Sequence, residues 1–350
     1  MKNNWWKILS VLLILYTLVC GLLVPIKAGI TAVTPMNIKC GEKVKLHISG
    51  YNSAFRLSGS NDVWLKLNDT FAIKGYDAVI EDDKNMDVQF DIPNGLPIKV
   101  KDKKTYATLV VNNDVDGAFP YPDAVIIKQD TSMVGMEAAW SKTPQNLSKA
   151  ANLSFPFRNI LMETIKNTFY HVPMWFAMMF MFLIAAIYSG QALKTKDIQY
   201  DHKANAYTEA GVVFGLLGLV TGALWAKHTW GQYWSFDVKQ NMSAVCILIY
   251  SAYFVLRSSF EDQEVRSRIS AVYNIFSFAA MIPLLWVIPR LVSSLHPGNG
   301  GNPAFGSQDL DNTMRMIFYP ANIGWILFGC WLAQLRFRMA KVEETIIDNY

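Results

Sequence analysis

The chain has 350 residues, of which 52% are hydrophobic, 13% aromatic and only 17% charged. This composition is too apolar for an ordinary soluble enzyme and too polar for membrane helices alone, so it predicts a membrane part and a soluble part. The formal net charge of +4 is small for this length and no block of Lys and Arg stands out, which argues against nucleic acid as a partner.

Six uncharged apolar runs are each long enough to predict a helix that crosses a lipid bilayer, which needs roughly 20 residues. They lie at residues 8–26, 172–193, 210–226, 241–256, 269–289 and 316–335. The first run has a signal peptide as its alternative, since Lys2 and Lys7 precede it. Its length and the lack of a clean A-x-A cleavage site favour an uncleaved membrane anchor that occupies residues 1–28.

The polar segment between the first two runs alternates apolar and polar residues as β-strands do. The alternating stretches are residues 43–48, 62–67, 86–91, 106–111 and 124–128, with turn signals such as Asn94-Gly95 between them. They predict an all-β domain over residues 29–131, a small antiparallel β-sandwich that could be immunoglobulin-like. We interpret His47, in the first stretch, as a surface or sheet histidine and not as a ligand.

A predicted linker, residues 132–154, connects this domain to the rest of the membrane part, residues 155–340, and residues 341–350 form a tail. Within the membrane part, residues 155–169 carry apolar side chains at helical spacing and charged ones elsewhere. This pattern predicts an amphipathic helix that lies in the membrane interface before the second crossing.

The Lys and Arg residues of the short loops predict the orientation of the chain. Three alternate segments are rich in them, and their residues are Lys194, Lys196, Lys203, Arg257, Arg266, Arg268, Arg336, Arg338 and Lys341. The opposite loops hold fewer, chiefly Lys227, Lys239, Arg290 and Arg315. The positive-inside rule then predicts that both termini are cytoplasmic and that the β-domain lies outside.

Three of the five histidines fall at the predicted outer surface of the membrane, namely His171, His228 and His296. Between the third and fourth runs, residues 228–239 read HTWGQYWSFDVK, which we call the aromatic loop. Two neutral imidazoles beside such a loop suit an iron porphyrin, because each takes one axial position while indoles stack on the ring. The predicted partners of its propionates are Lys227, Lys239, Arg290 or Arg315. The residues alone leave an ordinary interfacial aromatic belt as the alternative.

The stretch from Trp225 to Asp237 resembles the tryptophan-rich WWD motif of the haem-handling proteins of cytochrome c maturation. The sequences FYHVP around His171 and LHPG around His296 resemble the two histidine motifs of the CcmC branch of that superfamily, whose members have six crossings. The resemblance covers roughly residues 155–336. No CxxCH motif is present, so covalent c-type haem is not expected.

The resemblance implies that His171 and His296 are the axial ligands of non-covalent haem b. It also implies a haem-contacting loop made of Trp225, Trp230, Gly231, Tyr233, Trp234, Phe236 and Asp237. A CcmC-type protein would bind haem at the periplasmic face of the bacterial inner membrane and deliver it to a CcmE-like haem chaperone. CcmD-like and CcmAB-like proteins would be its partners, and it would not itself be an enzyme.

The chain departs from the motif at Tyr233 and Phe236, which replace common tryptophans and so remove indole N–H donors. His228 is an additional histidine, which we interpret as a polar interface residue rather than an alternative ligand. The β-domain has no counterpart in compact family members, so its role stays open. Two other functions remain possible: a subunit of a CcsA-type cytochrome c synthase or haem transporter, and a plain anchor for the β-domain.

Overall fold

The computed structural model describes residues 4–98, 103–129, 137–149, 153–296 and 310–348. The chain divides into two compact units. One consists of Met1–Leu23 together with Glu163–Tyr350, and the other is Val24–Met162. Part of the predicted linker and the Pro297 and Gly298 of the second histidine motif lie outside the described residues.

All six predicted crossings are helices that are long and apolar enough to span a membrane, so the chain is a multi-pass membrane protein. The helices are α1 (Trp5–Leu23), α2 (His171–Thr195), α3 (Ile198–Trp230), α4 (Val238–Ser258), α5 (Gln263–Ile282) and α7 (Asn312–Asp348). A π-helical turn (Pro283–Val287) and the short helix α6 (Ile288–Leu291) continue α5. Methionines and aromatic rings of α2, α3 and α4 form the core, where Phe182 and Tyr250 stack with ring centroids 3.4 Å apart.

Helix α3 begins well before the apolar run that predicted it. Asp197 caps it, since its Oδ1 accepts a hydrogen bond of 2.9 Å from the Gln199 backbone N–H. Asp201 in the first turn is buried and receives two hydrogen bonds from Arg257, of 2.8 and 2.6 Å. This bidentate ion pair lets a charged turn pack inside the bundle, which the hydropathy of the sequence does not predict.

The predicted amphipathic helix over residues 155–169 is only half correct. A 3₁₀ helix covers Met162–Phe169 and buries Ile165 and Phe169, whereas Phe155 forms an isolated parallel bridge with Ile26. Pro156 disfavours the helical conformation at Phe155, and residues 155–161 form no helix. Ile160, placed on the apolar face by its spacing, is 80% exposed.

The second unit contains two β-sheets whose inward side chains form one hydrophobic core. The five predicted strands are confirmed as β3 (Lys43–Tyr51), β4 (Asn61–Lys66), β7 (Asn85–Asp91), β8 (Lys104–Asn113) and β9 (Gly117–Lys128). The strands without a prediction are β1 (Gly29–Thr34), β2 (Asn37–Lys39), β5 (Ala72–Lys74) and β6 (Tyr76–Ile80). Strands β2 and β5 have only three residues each, and β6 is exposed throughout. These three strands therefore do not show the alternation of a half-buried strand.

The sheets have the strand orders β1-β3-β7-β6 and β2-β9-β8-β4-β5. The prediction of a purely antiparallel sandwich is wrong at one pair, because β2 runs parallel to β9. Pro35 lies between β1 and β2 and has no N–H for a ladder, so the chain leaves the first sheet there and joins the second. His47 lies on β3, where its Nδ1 is 2.8 Å from Oδ1 of Asp87 on the neighbouring strand.

Candidate functional site

A cleft opens at the end of the helical bundle where α2 begins and α3 ends. Its space amounts to about 820 Å³, including the part open to solvent. The walls are largely apolar and include three indole rings, with a few polar groups that converge on the space. The aromatic and polar side chains that line it are Trp175, Trp234, Trp286, His171, His296, Lys239, Gln240 and Ser243. An apolar cleft with few polar groups is typical of a ligand site.

His171 enters the cleft from the first turn of α2. Its Nδ1 lies 3.1 Å from the Thr221 hydroxyl, and that hydroxyl donates its own proton to the Leu217 carbonyl at 2.8 Å. Nδ1 must therefore be the donor to Thr221, which leaves the lone pair of the neutral imidazole on Nε2. The indole N–H of Trp175, one helical turn along α2, donates to that Nε2 at 3.3 Å.

Two glycines of α3 make the room for these side chains. A Cβ on Gly222 would lie 2.7 Å from Cε1 of His171, and a Cβ on Gly218 would lie 2.8 Å from Cε2 of Trp175. Both distances are shorter than side chains tolerate, so only glycine at these positions allows α2 to approach α3 with its ring side chains in place.

His296 enters the cleft after α6 and is held by Asp237, the last residue of the WWD-like stretch. The Nδ1 of His296 lies 2.8 Å from Oδ1 of Asp237, so the neutral imidazole donates this proton and keeps its lone pair on Nε2. Asp237 also accepts hydrogen bonds from the Leu295 backbone at 2.8 Å and the Ser294 hydroxyl at 3.0 Å. A carboxylate behind a histidine is the arrangement that orients metal-binding imidazoles in proteins.

The same carboxylate begins helix α4. Asp237 is its N-cap and accepts a hydrogen bond of 2.9 Å from the Lys239 backbone N–H. Only 2% of the Asp237 side chain is exposed, so its place is behind His296 and not on the cleft wall. One residue thus ties the aromatic loop, the start of α4 and the segment after α6 together.

The electrostatics of this pair keep the imidazole neutral and the carboxylate charged. Burial raises the pKa of Asp237, but the hydrogen bonds from the Leu295 and Lys239 backbones bring it below its ordinary value. Burial lowers the pKa of His296, although Asp237 opposes that shift. A neutral imidazole is the form that binds a metal.

The backbone of the aromatic loop is shaped by residues on both of its sides. Gly231 ends α3 in the left-handed conformation with φ of +85°, and Phe236 adopts φ of +56° just before the N-cap. The Gln240 side chain accepts hydrogen bonds from the Ser235 backbone and hydroxyl at 2.9 and 3.0 Å. A left-handed phenylalanine is unusual and persists only where such contacts hold the loop.

The tryptophans of the loop region divide between the cleft and His296. Trp234 lines the cleft and donates its indole proton to Asn241 at 3.2 Å. Trp225 and Trp230 contact the His296 ring instead, with centroid distances of 5.8 and 4.7 Å, and contact each other at 4.9 Å. These two rings pack around the imidazole of His296 and do not line the cleft.

The other predicted loop residues do not line the cleft. Gly231, Tyr233 and Phe236 are exposed, with 57% of Tyr233 and 78% of Phe236 accessible. His228 is also exposed and is not part of the cleft lining.

The four candidate partners of propionates are placed differently. Lys239 lines the cleft, and Arg290 lies 5.7 Å from the ring centroid of Trp286, which also lines it. Lys227 lies over Tyr233 and donates to the Gly231 carbonyl at 3.0 Å, while Arg315 approaches Asn312. Of these four candidates, Lys239 lines the cleft and Arg290 contacts its wall.

Sequence reasoning missed the residues that support the histidines. Thr221, Trp175 and Ser294 carry no sequence signal of their own, and neither does Gln240, which supports the aromatic loop. The glycines of the third run, however, recur at spacings of three and four residues. That recurrence signals a close helix contact in a membrane protein and would have pointed to the face of α3 opposite His171.

Residues 152–348 match the family model of CcmC, described as Heme exporter protein C. The chain is similar to Heme exporter protein C of Haemophilus influenzae, with 25% identity over 40% of this chain and 56% of that protein. It is 30% identical to Heme exporter protein C of Bradyrhizobium diazoefficiens over 35% of this chain and 46% of the relative. Cytochrome c biogenesis protein CcsA of Synechococcus sp. (strain CC9902) is 31% identical over 25% of this chain and 30% of its own length. The chain thus spans about half the length of the haem exporter relatives it matches.

Proposed function

Since the chain belongs to the CcmC family of haem exporter proteins, we propose that it binds haem in the cleft and passes it on during cytochrome c biogenesis. His171 and His296 are the proposed axial ligands of a non-covalent haem b. The haem is the cargo of this protein and not a resident cofactor. The protein would therefore deliver haem and would not catalyse its attachment to a cytochrome.

One observation carries this proposal: two neutral imidazoles line one apolar cleft, and each has its Nδ1 proton committed to a protein group. Nε2 is then the metal-binding atom of both side chains. Two nitrogen ligands from different helix ends, together with tryptophan walls, suit an iron porphyrin, whose iron takes axial ligands on both faces. Lys239 and Arg290 supply positive charge for its carboxylates.

The proposed membrane placement follows the distribution of Lys and Arg in the loops. It puts both termini in the cytoplasm and the cleft on the periplasmic side of the bacterial inner membrane. We further propose that a CcmE-like chaperone receives the haem there, and that CcmD-like and CcmAB-like proteins are the membrane partners. The family membership supports this assembly.

We also propose that the β-domain is immunoglobulin-like and periplasmic. The first sheet order corresponds to strands A-B-E-D of that fold, and the second corresponds to G-F-C with an added strand at each edge. This domain precedes the segment that matches the family, so the family match does not assign its function.

The direct test is the absorption spectrum of the full chain purified in detergent. We expect a b-type Soret band in the wild type and its loss in the double variant His171→Ala, His296→Ala. The variants His202→Ala and His228→Ala serve as matched controls, because neither residue lines the cleft, and they should keep the band. A double variant that retained full haem would show that these histidines are not the ligands.

The second candidate function is a CcsA-type synthase subunit, which the similarity to CcsA favours. Such a protein would promote thioether formation between haem and an apocytochrome. Co-expression with a CxxCH-containing acceptor and without a chaperone distinguishes the two functions. We expect no covalent haem on the acceptor under these conditions, and covalent haem would favour the synthase.

A further inference from the structure

We propose that the two histidines hold haem unequally: His296 is the retained ligand, and His171 is the ligand that leaves first when haem is passed on. This inference rests on the proposed function and concerns the order of ligand exchange. It identifies Thr221, Trp175 and Asp237 as positioning residues that create the difference.

The partner of His296 makes it the stronger ligand. Its Nδ1–H bonds at 2.8 Å to a carboxylate whose side chain is only 2% exposed. A charged acceptor behind the ring draws the Nδ1 proton away and raises the electron density at Nε2, which strengthens the bond to a metal. The Ser294 and Leu295 hydrogen bonds hold that carboxylate in place, so the ring has one orientation.

The hydrogen-bond partner of His171 carries no charge. Its Nδ1–H bonds at 3.1 Å to the neutral Thr221 hydroxyl, whose own proton goes to the Leu217 carbonyl. A neutral acceptor polarises the imidazole less than a carboxylate does, so Nε2 of His171 is the poorer donor to iron.

A second contact favours the dissociated form of His171. The Trp175 indole N–H donates to Nε2 of His171 at 3.3 Å, and this hydrogen bond uses the same lone pair that would bind iron. When the iron–Nε2 bond breaks, the electron pair stays on the nitrogen and can accept the indole proton donor. The incoming ligand supplies a new pair to the iron, so the exchange requires no electron or proton from elsewhere.

Half-site variants of the full chain test the order of release. We expect His171→Gly to retain haem through His296 and His296→Gly to lose most of it, when haem dissociation is followed by capture with excess apomyoglobin. Adding Asp237→Asn to His171→Gly should speed this dissociation about ten- to a hundredfold. Asparagine keeps a side-chain oxygen for the α4 cap, and thermal unfolding checks that the loop is intact.

Cyanide substitution on the ferric wild type gives an independent measurement. At low cyanide the rate is proportional to the fraction of protein with one histidine dissociated. Trp175→Phe removes the competing donor and should slow substitution about two- to tenfold, as expected for one hydrogen bond. Trp331→Phe removes an indole that does not line the cleft and should leave the rate unchanged.

The outcomes separate the inference from the function on which it rests. If the wild type binds haem but His296→Gly retains it as well as His171→Gly does, the proposed order is overturned. Faster or unchanged cyanide substitution in Trp175→Phe would also overturn it. A wild type that binds no haem would instead overturn the proposed function.

Discussion

Replacing Gly222 by alanine should weaken haem binding while the fold survives. The added Cβ would lie 2.7 Å from Cε1 of His171, so the ring must retreat by about 0.7 Å to reach the 3.4 Å of ordinary contact. That retreat stretches the 3.1 Å hydrogen bond to Thr221 and displaces Nε2 from its position in the cleft. Overpacking costs about 1–3 kcal/mol, and the higher helix propensity of alanine offsets about 1 kcal/mol of it.

The expected result is a chain with near-normal thermal stability and haem affinity lowered about ten- to a hundredfold, as for variants that disturb a metal ligand through its support. The assay is haem titration of the purified chain, followed by Soret absorbance, beside thermal unfolding in the same detergent. Gly190→Ala is the matched control, because a Cβ there meets nothing within 4 Å. Wild-type affinity and spectrum in Gly222→Ala would refute the close approach of α3 to His171.

Two further predictions concern stability. Arg257→Leu should destabilise the helical unit by about 3–5 kcal/mol in thermal unfolding, because it leaves Asp201 buried without its partner. Joint replacement with Asp201→Leu should recover most of the lost stability. A single variant as stable as the wild type would contradict the role of the pair. In the β-domain, hydrogen bonds from Lys45 and His47 hold the pKa of Asp87 below its ordinary value. Their stabilisation is therefore complete above about pH 4 and is lost as the pH falls through the lower folded-state pKa. Asp87→Asn should flatten the acid limb of a Tm-against-pH curve, and an unchanged limb would exclude this linkage.

The membrane helices could be predicted from the sequence because their signal is local. A bilayer offers no hydrogen bonds to the backbone, so an uncharged run of sufficient length is a helix almost regardless of its neighbours. The predicted start of α3 was wrong because a tertiary contact stabilises a polar residue there. Arg257, 56 residues away, neutralises the charge of Asp201 in the first turn of α3. The strands of the β-domain could also be predicted where their signal is local. Apolar and polar residues alternate along β3 and β7 but not along the exposed strand β6.

The residue types of the site were also visible in the sequence, since histidines and tryptophans at the ends of predicted crossings are a local pattern. The sequence by itself thus determined the six-helix membrane part and an inserted β-domain, and its resemblance to the CcmC family selected His171 and His296 as candidate ligands. Only the tertiary structure brought these two histidines into one cleft. It also moved Asp237 from a predicted haem contact to a support behind His296, and paired Thr221 with His171. The physical reason is that a hydrogen-bond partner is chosen by the packing of distant helix ends, which no periodicity along the chain encodes.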